Sequence, residues 1–309
     1  MSTSQEKPQT VAVQIVNAFV KNGQGGNPAG VVLDADQYSD AQKLLIAQKV
    51  GLSETAFVSK SETCGIKLDF FTPTKRIAHC GHATIATFSY LAELERFGDG
   101  ETSKETVDGP RKIILDHGMA YMEQLAPTYT PASSWTGHGV TLCDVLKSLS
   151  LTSDDLDNRA RPVLVNTGNN FIVIAVKDQA TLANITPDQD AINAISEKLD
   201  LIGYYIFTTE TGGAGGADKT ETDATTRMFA PRYGIDEEAA TGMAAGPLAC
   251  VLHDLLGIKK DSFLIAQGEF MAEPSPSQIK VTLERKDNRI TGLLAGGQGK
   301  VMKNLEVAL

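Results

Sequence analysis

The chain repeats itself, and this repetition constrains the fold more than any single motif does. "GGNPAGVVLDAD" (25–36) places Gly26-Asn27 ahead of an apolar run that reads as a strand, and "NTGNNFIVIAVKD" (166–178) places Gly168-Asn169 ahead of a similar run. "KVGLSETAFVS" (49–59) aligns with "KLDLIGYYIFT" (198–208): each is a helix end, a leucine, then a strand. Phe71-Thr72-Pro73 answers Phe229-Ala230-Pro231, and "CGHATIA" (80–86) and "ATGMAAG" (240–246) each open an apolar helical segment. Gly-Asn and Phe-x-Pro are common separately, but their shared order points to an internal duplication. The second copy is longer, and much of the excess is "TETGGAGGADKTETDATT" (209–226), whose Gly/Thr richness reads as a flexible surface loop.

Each half is then expected to run strand, helix, strand, strand, helix. Asp40 is the expected N-cap of a helix near 41–50. The closing helices are expected over roughly 82–97 and 243–257. In the first, Ile85, Phe88, Leu91 and Leu94 cover one face, while Ala83, Ala86 and Ala92 keep much of the rest small. A helix apolar on most sides is a buried helix. Pro247 conflicts with the second, because a proline inside a helix removes a hydrogen bond and clashes with the preceding turn. Either that helix kinks early or its regular part begins nearer Gly246. The expected class is α+β, with two pseudo-symmetric halves, each a rolled sheet around a central helix, and an active-site cleft between them. The expected halves are residues 1–128, completed by the C-terminal segment 292–309, and residues 129–291.

Composition narrows the function. A formal charge of −10 over 309 residues argues against a nucleic-acid surface, which needs a basic face. No apolar run approaches the roughly 18 residues of a membrane helix, and "MSTSQEKPQT" is not followed by a secretory h-region. Cys64, Cys80, Cys143 and Cys250 show neither a CxxC pair nor a disulfide-framework spacing, so free thiols and a cytoplasmic location are expected. There is no Walker loop or G-x-S-x-G, and "GGAGGA" (212–217) lacks the strand-to-helix context of a dinucleotide fingerprint. The chemistry is expected to need no cofactor.

Helix starts at Gly81 and Gly242 would offer backbone N–H groups and a positive dipole end to a carboxylate, with plain helix capping as the equal alternative. Glu54 lies beside Leu52 and Phe57, and its mate in the second half is Gly203, so a carboxyl appears in one half only. A carboxyl in apolar surroundings can exchange a proton near neutral pH. His79, Cys80 and His82 could form part of a metal cluster, but they offer at most three ligands and no second cluster supports them. They could instead supply a thiol nucleophile with its base, or an acid/base histidine at a helix mouth. Glu237 and Glu238 either complement the second helix dipole or provide a second carboxyl.

"GNPAGVVLDAD", "GLSETAFV", "FFTPTKRIAHCGHATIAT", "RMFAPRYGIDEEAATGMAAGPLA" and "QGEFMAEPS" together resemble the phenazine-biosynthesis PhzF-like family, relatives of diaminopimelate epimerase and proline racemase. The likeness spans roughly residues 12–309. It implies a diaminopimelate-epimerase-like fold and cofactor-independent isomerisation by proton shuttling, often in a homodimer, and from the residues no metal is expected. It also implies that Glu54 is the main acid/base, with His82 and Glu238 assisting. Asn27, Gly81, Thr241 and Gly242 would line the substrate site, with Cys80 and Met243 beside them. The sequence departs from the family pattern in places: Glu238 stands for an aspartate, Ala239 for a proline and Met243 for a serine, and Ala272-Glu273-Pro274 replaces an Arg-containing block. The related racemases use two thiols; Cys80 stands where the first would be, but "AATGM" has no second. Cys80 is then a small wall residue and His79 is incidental.

The leading expectation is an isomerase shifting a proton on a small carboxylate-bearing substrate. A non-catalytic, metabolite-binding or regulatory member of the same fold is the alternative, and a thiol hydrolase or transferase using Cys80 and His82 is the third. The expected partners are the small-molecule substrate and a second copy of the chain, not nucleic acid or membrane.

Overall fold

The computed structural model describes residues 10–210 and 222–309. The "GGAGGA" segment lies outside the described residues. Two compact units emerge: one holds the chain up to Gly23, Pro28–Met122 and Gln298–Leu309, and the other holds Gln24–Asn27 and Glu123–Gly297. Among the described residues, no helix is long and apolar enough to cross a membrane.

Up to residue 125 the elements are β1 (Thr10–Ala18), β2 (Asn27–Val32), α1 (Asp40–Val50), β3 (Thr55–Ser59), β4 (Ile66–Phe71), β5 (Arg76–Ile77), α2 (Gly81–Glu93), β6 (Gly100–Thr106), β7 (Gly109–Asp116) and β8 (Met119–Leu125). Then come β9 (Thr128–Pro131), α3 (Leu142–Lys147), β10 (Val163–Asn166), β11 (Asn170–Ala175), α4 (Gln179–Ala183), α5 (Gln189–Leu199), β12 (Gly203–Thr208) and β13 (Ala224–Phe229). The chain closes with α6 (Gly242–Asp254), β14 (Ser262–Gln267), β15 (Ser277–Lys286) and the long β16 (Arg289–Ala308).

The duplication is written in the strand pairings. In the first unit β2 and β3 are parallel, β3 and β4 antiparallel, β4 and β6 parallel, and β6 and β7 antiparallel. In the second, β11 and β12 are parallel, β12 and β13 antiparallel, β13 and β14 parallel, and β14 and β15 antiparallel. The helix caps repeat as well: α1 ends at Gly51 (φ 70°) and α5 at Asp200 (φ 51°), both left-handed, one step before the aligned leucines 52 and 201. The first sheet is completed by β1 pairing with the far end of β16, Thr10 opposite Ala308 through Ala18 opposite Gly299.

Each unit surrounds its closing helix. Nine residues of α2 between His82 and Leu91 are buried, as is every residue of α6 from Ala244 to His253. Such helices have no solvent stripe, so their apolar content is what the rolled sheets pack against. The helix α6 begins at Gly242 and continues through Pro247, so of the two alternatives the late start near Gly246 is not seen. The proline ring sits in the second turn, where one carbonyl loses its partner and tight packing retains the helix.

Two further expectations change. Ser39, not Asp40, is the N-cap of α1: its hydroxyl accepts from the Gln42 N–H, and the Gln42 side chain accepts from the Ser39 N–H, a reciprocal capping box that leaves Asp40 as the first helical residue. The expected 209–226 loop ends earlier than its composition suggests, because Ala224–Thr226 already pair with Ile265–Gln267 of β14. Their threonines are β-branched and suit a buried strand as well as a loop.

One buried ion cluster ties α1 to β4. The Asp69 carboxylate meets Lys43 Nζ at 2.7 Å, with its other oxygen on Arg76, and Lys43 and Asp69 are both buried. Burial pushes the Asp69 carboxyl up, but the Lys43 hydrogen bond and the charges of Lys43 and Arg76 outweigh it and hold the group below the usual range.

Candidate active site

In the first unit, Glu54 is the last residue before β3. Its backbone carbonyl accepts from Gly30 N–H of the parallel neighbour β2, fixing where the side chain leaves the sheet. His82 is the second residue of α2. The two meet with Glu54 Oε2 3.3 Å from His82 Nε2, and both side chains are largely shielded, 12% and 6% exposed. Glu54 Oε2 is buried and accepts no aligned hydrogen bond among the described residues. It is close to the imidazole without an aligned hydrogen bond to it. On the other side of the ring, His82 Nδ1 lies 3.6 Å from Cys80 Sγ.

The donor atoms of Glu54, Cys80 and His82 lie within 4.8 Å of one another. The two ring nitrogens of His82 face different partners, Nε2 towards Glu54 and Nδ1 towards Cys80. Cys80 is the N-cap of α2, yet its side chain caps nothing, and the same holds for Thr241 ahead of α6. Plain side-chain capping therefore does not account for these helix starts.

In the second unit, Glu238 is engaged through both carboxylate oxygens. Asn27 Nδ2 donates to Oε1 at 2.9 Å and also to the Ala240 carbonyl, and the Thr241 hydroxyl donates to Oε2 at 2.8 Å. The Gly242 carbonyl accepts from Gln124 Nε2, and Met243 Sδ accepts from Asn169 Nδ2. Glu237 turns away into a bidentate pair with Arg227, whose guanidinium also donates to three backbone carbonyls around α4. Of the two adjacent glutamates, Glu237 is thus structural.

Sequence reasoning missed the residues that support these loops. Gln267 is fully buried: its Oε1 accepts from Thr241 N–H and Tyr205 Oη, and its Nε2 donates to the Glu238 carbonyl and the Thr241 hydroxyl. One amide thus pins both ends of the Glu238–Thr241 turn. It closes "LIAQ" in β14 and opens the block "QGEFMAEPS", the one signal in the sequence that could have pointed to it.

His79 is not incidental. Its Nδ1 lies 3.3 Å from the ammonium of Lys104, which is fully buried. Burial first, then the charges of Lys104 and Arg111, push the His79 imidazole down to about 3. The unfolded ring protonates near 6.5 and the folded ring only near 3. Stability from this group is therefore intact above 6.5 and falls by about 1.4 kcal/mol per pH unit as pH drops through that window. His79→Gln is expected to flatten this part of the acid slope, read as urea midpoints between pH 7 and 4.5. An unchanged slope would show that the ring protonates freely.

A profile of the family described as phenazine biosynthesis-like protein matches residues 16–304. The Escherichia coli (strain K12) protein named uncharacterized isomerase YddE is 31% identical over 309 residues, 98% of this chain and 99% of its own. The trans-2,3-dihydro-3-hydroxyanthranilate isomerase of Pseudomonas chlororaphis is 31% identical over 241 residues, 76% of this chain and 77% of its own. The crystal structure of the Bacillus anthracis phenazine biosynthesis protein of the PhzF family shares the fold, with a TM-score of 0.85 at 24% identity over 97% of this chain and 100% of that one. The chain belongs to the phenazine biosynthesis-like protein family and is an isomerase of it.

Proposed function

We propose that this isomerase moves a proton on a small carboxylate-bearing substrate without a cofactor, with Glu54 as the acid/base and His82 supporting it. The observation that carries the reading is the shielded Glu54–His82 pair, 3.3 Å apart, in which the carboxylate oxygen keeps its accepting capacity. A carboxylate in that setting can take a proton from carbon and return it, while the imidazole alongside compensates the change of charge. Backbone N–H groups at the start of α2, which no side chain caps, offer a seat for a substrate anion. Glu238, oriented by Asn27 and Thr241, assists, with Gly81, Gly242 and Met243 among the binding residues. The relative from Pseudomonas chlororaphis is named for an anthranilate derivative, a carboxylate of the proposed class.

The test is proton NMR in deuterium oxide with panels of amino acids and small unsaturated or cyclic carboxylates. Deuterium should enter a carbon position with the native protein and not with Glu54→Gln. Exchange that is equally fast with Glu54→Gln would remove Glu54 from the mechanism.

A further inference from the structure

Lys104 has no role in that reaction scheme, yet it is the most anomalous group in the first unit. It lies on β6, opposite Ile66 of β4 and Arg111 of β7, and is 0% exposed. A buried ammonium is ordinarily matched by a carboxylate. This one has none within ion-pair reach among the described residues. Its Nζ donates to Thr84 Oγ1 at 2.5 Å, lies 3.3 Å from His79 Nδ1, and stands 5.0 Å from the centre of the Phe70 ring. The Thr84 hydroxyl in turn donates to the Cys80 carbonyl at 2.6 Å, at the turn that launches α2.

We propose that Lys104 is a positioning residue for the active site, acting through Thr84 to fix the Cys80–Gly81–His82 turn. The inference rests on the reading of Glu54 and His82 given above. An ammonium can only donate. Thr84 must therefore accept from Lys104, which commits its own proton to the Cys80 carbonyl. His79 Nδ1 must likewise be an acceptor, so its ring proton sits on Nε2. The chain has one direction as long as Lys104 is charged. A neutral amine could accept the Thr84 proton instead, and the Cys80 carbonyl would lose the shorter of its two bonds from Thr84, keeping only the backbone N–H at 3.3 Å.

Burial brings the Lys104 ammonium down to about 7. Cys80 opposes that fall and Arg111 adds to it; with His79, these are the titratable and charged groups that face it among the described residues. The tether therefore weakens as pH rises through neutrality.

The experiment compares Lys104→Met, Thr84→Val and Thr84→Ser with the native chain, using the deuterium-exchange assay from pH 5.5 to 9 and the pH titration of the His82 ring Hε1 signal by NMR. Lys104→Met and Thr84→Val are each expected to lower kcat by about 10- to 100-fold, the loss that follows when a catalytic group is displaced by an ångström or less. Thr84→Ser, which keeps the hydroxyl, should stay within about threefold, since a conserved hydrogen bond conserves the geometry. The native profile should decline above about pH 7, and Lys104→Met should lack that limb.

If Lys104→Met does not fold, Thr84→Val against Thr84→Ser decides. Equal activity in that pair, or an alkaline limb that survives in Lys104→Met, overturns the proposal. If no carboxylate exchanges even with the native chain, the acid/base reading has failed instead, and the His82 titration still decides the positioning. A curve shifted in Lys104→Met and Thr84→Val but not in Thr84→Ser upholds it, and superimposable curves overturn it.

Discussion

Glu54→Gln is expected to lower the exchange rate by about 100- to 10,000-fold, the usual contribution of a positioned general acid/base. The amide has the shape of the carboxylate but cannot take a proton from carbon. The loss should be confined to catalysis. Because Glu54 Oε2 accepts no hydrogen bond among the described residues, the substitution breaks no such bond at that oxygen, so stability should change by less than about 1 kcal/mol. A collapse of activity at an unchanged melting temperature is the signature of a reacting group. Near-native exchange in the variant would transfer the acid/base role elsewhere, with Cys80 the first candidate because its sulfur faces the other nitrogen of His82.

The largest stability effect is expected at Asp69. Asp69→Asn leaves the Lys43 ammonium in the packed region between α1 and β4 without a counter-charge, and removing one partner of a buried pair costs about 3–5 kcal/mol. Arg76 suffers less, because its side chain is 32% exposed and also reaches Asp40. Replacing both buried partners, Lys43→Met with Asp69→Leu, should recover much of the loss, since apolar groups of similar volume often match such a pair. Urea unfolding at pH 7 measures both variants. A cost below about 1 kcal/mol for Asp69→Asn would mean that Lys43 escapes to water or loses its proton at little expense.

The repeat was legible because its marks are local. A glycine or aspartate at a left-handed helix cap, a leucine and an apolar strand recur at Gly51 and Asp200 whatever the surroundings. Glu54 and His82 stood out through the blocks that carry them. Lys104 and Asp69 did not, and Gln267, although it opens the block "QGEFMAEPS", was not singled out, because nothing near them in sequence separates a buried polar group from a surface one. In "ETSKETVDGP" it is the pairing with β4 and β7, under the first turn of α2, that buries the lysine. The capping error at Asp40 has a different origin. Asp and Ser are both good caps, and the choice fell to the residue whose partner three positions on is Gln42. The asymmetry at Gly203 has a steric basis that sequence could not supply: a Cβ there would come within 2.3 Å of the Phe229 carbonyl oxygen. The second unit therefore has no room for a counterpart of Glu54 at the aligned position.

The pairing of β1 with the far end of β16 has a consequence for how the chain is made. Gln14 and Asn304 lie hydrogen-bonded side by side although 290 positions separate them. On a ribosome, β1 emerges among the first strands, and one of its edges must wait unpaired while the whole second unit is synthesised. An edge strand with alternating valines and isoleucines, "TVAVQIVNA", is a template for pairing with another nascent chain during that interval. Slow translation beyond residue 122, or a ribosome stalled before residue 298, should therefore favour chaperone capture and aggregation over folding of the first unit, whereas the second unit can complete most of its pairings from contiguous sequence.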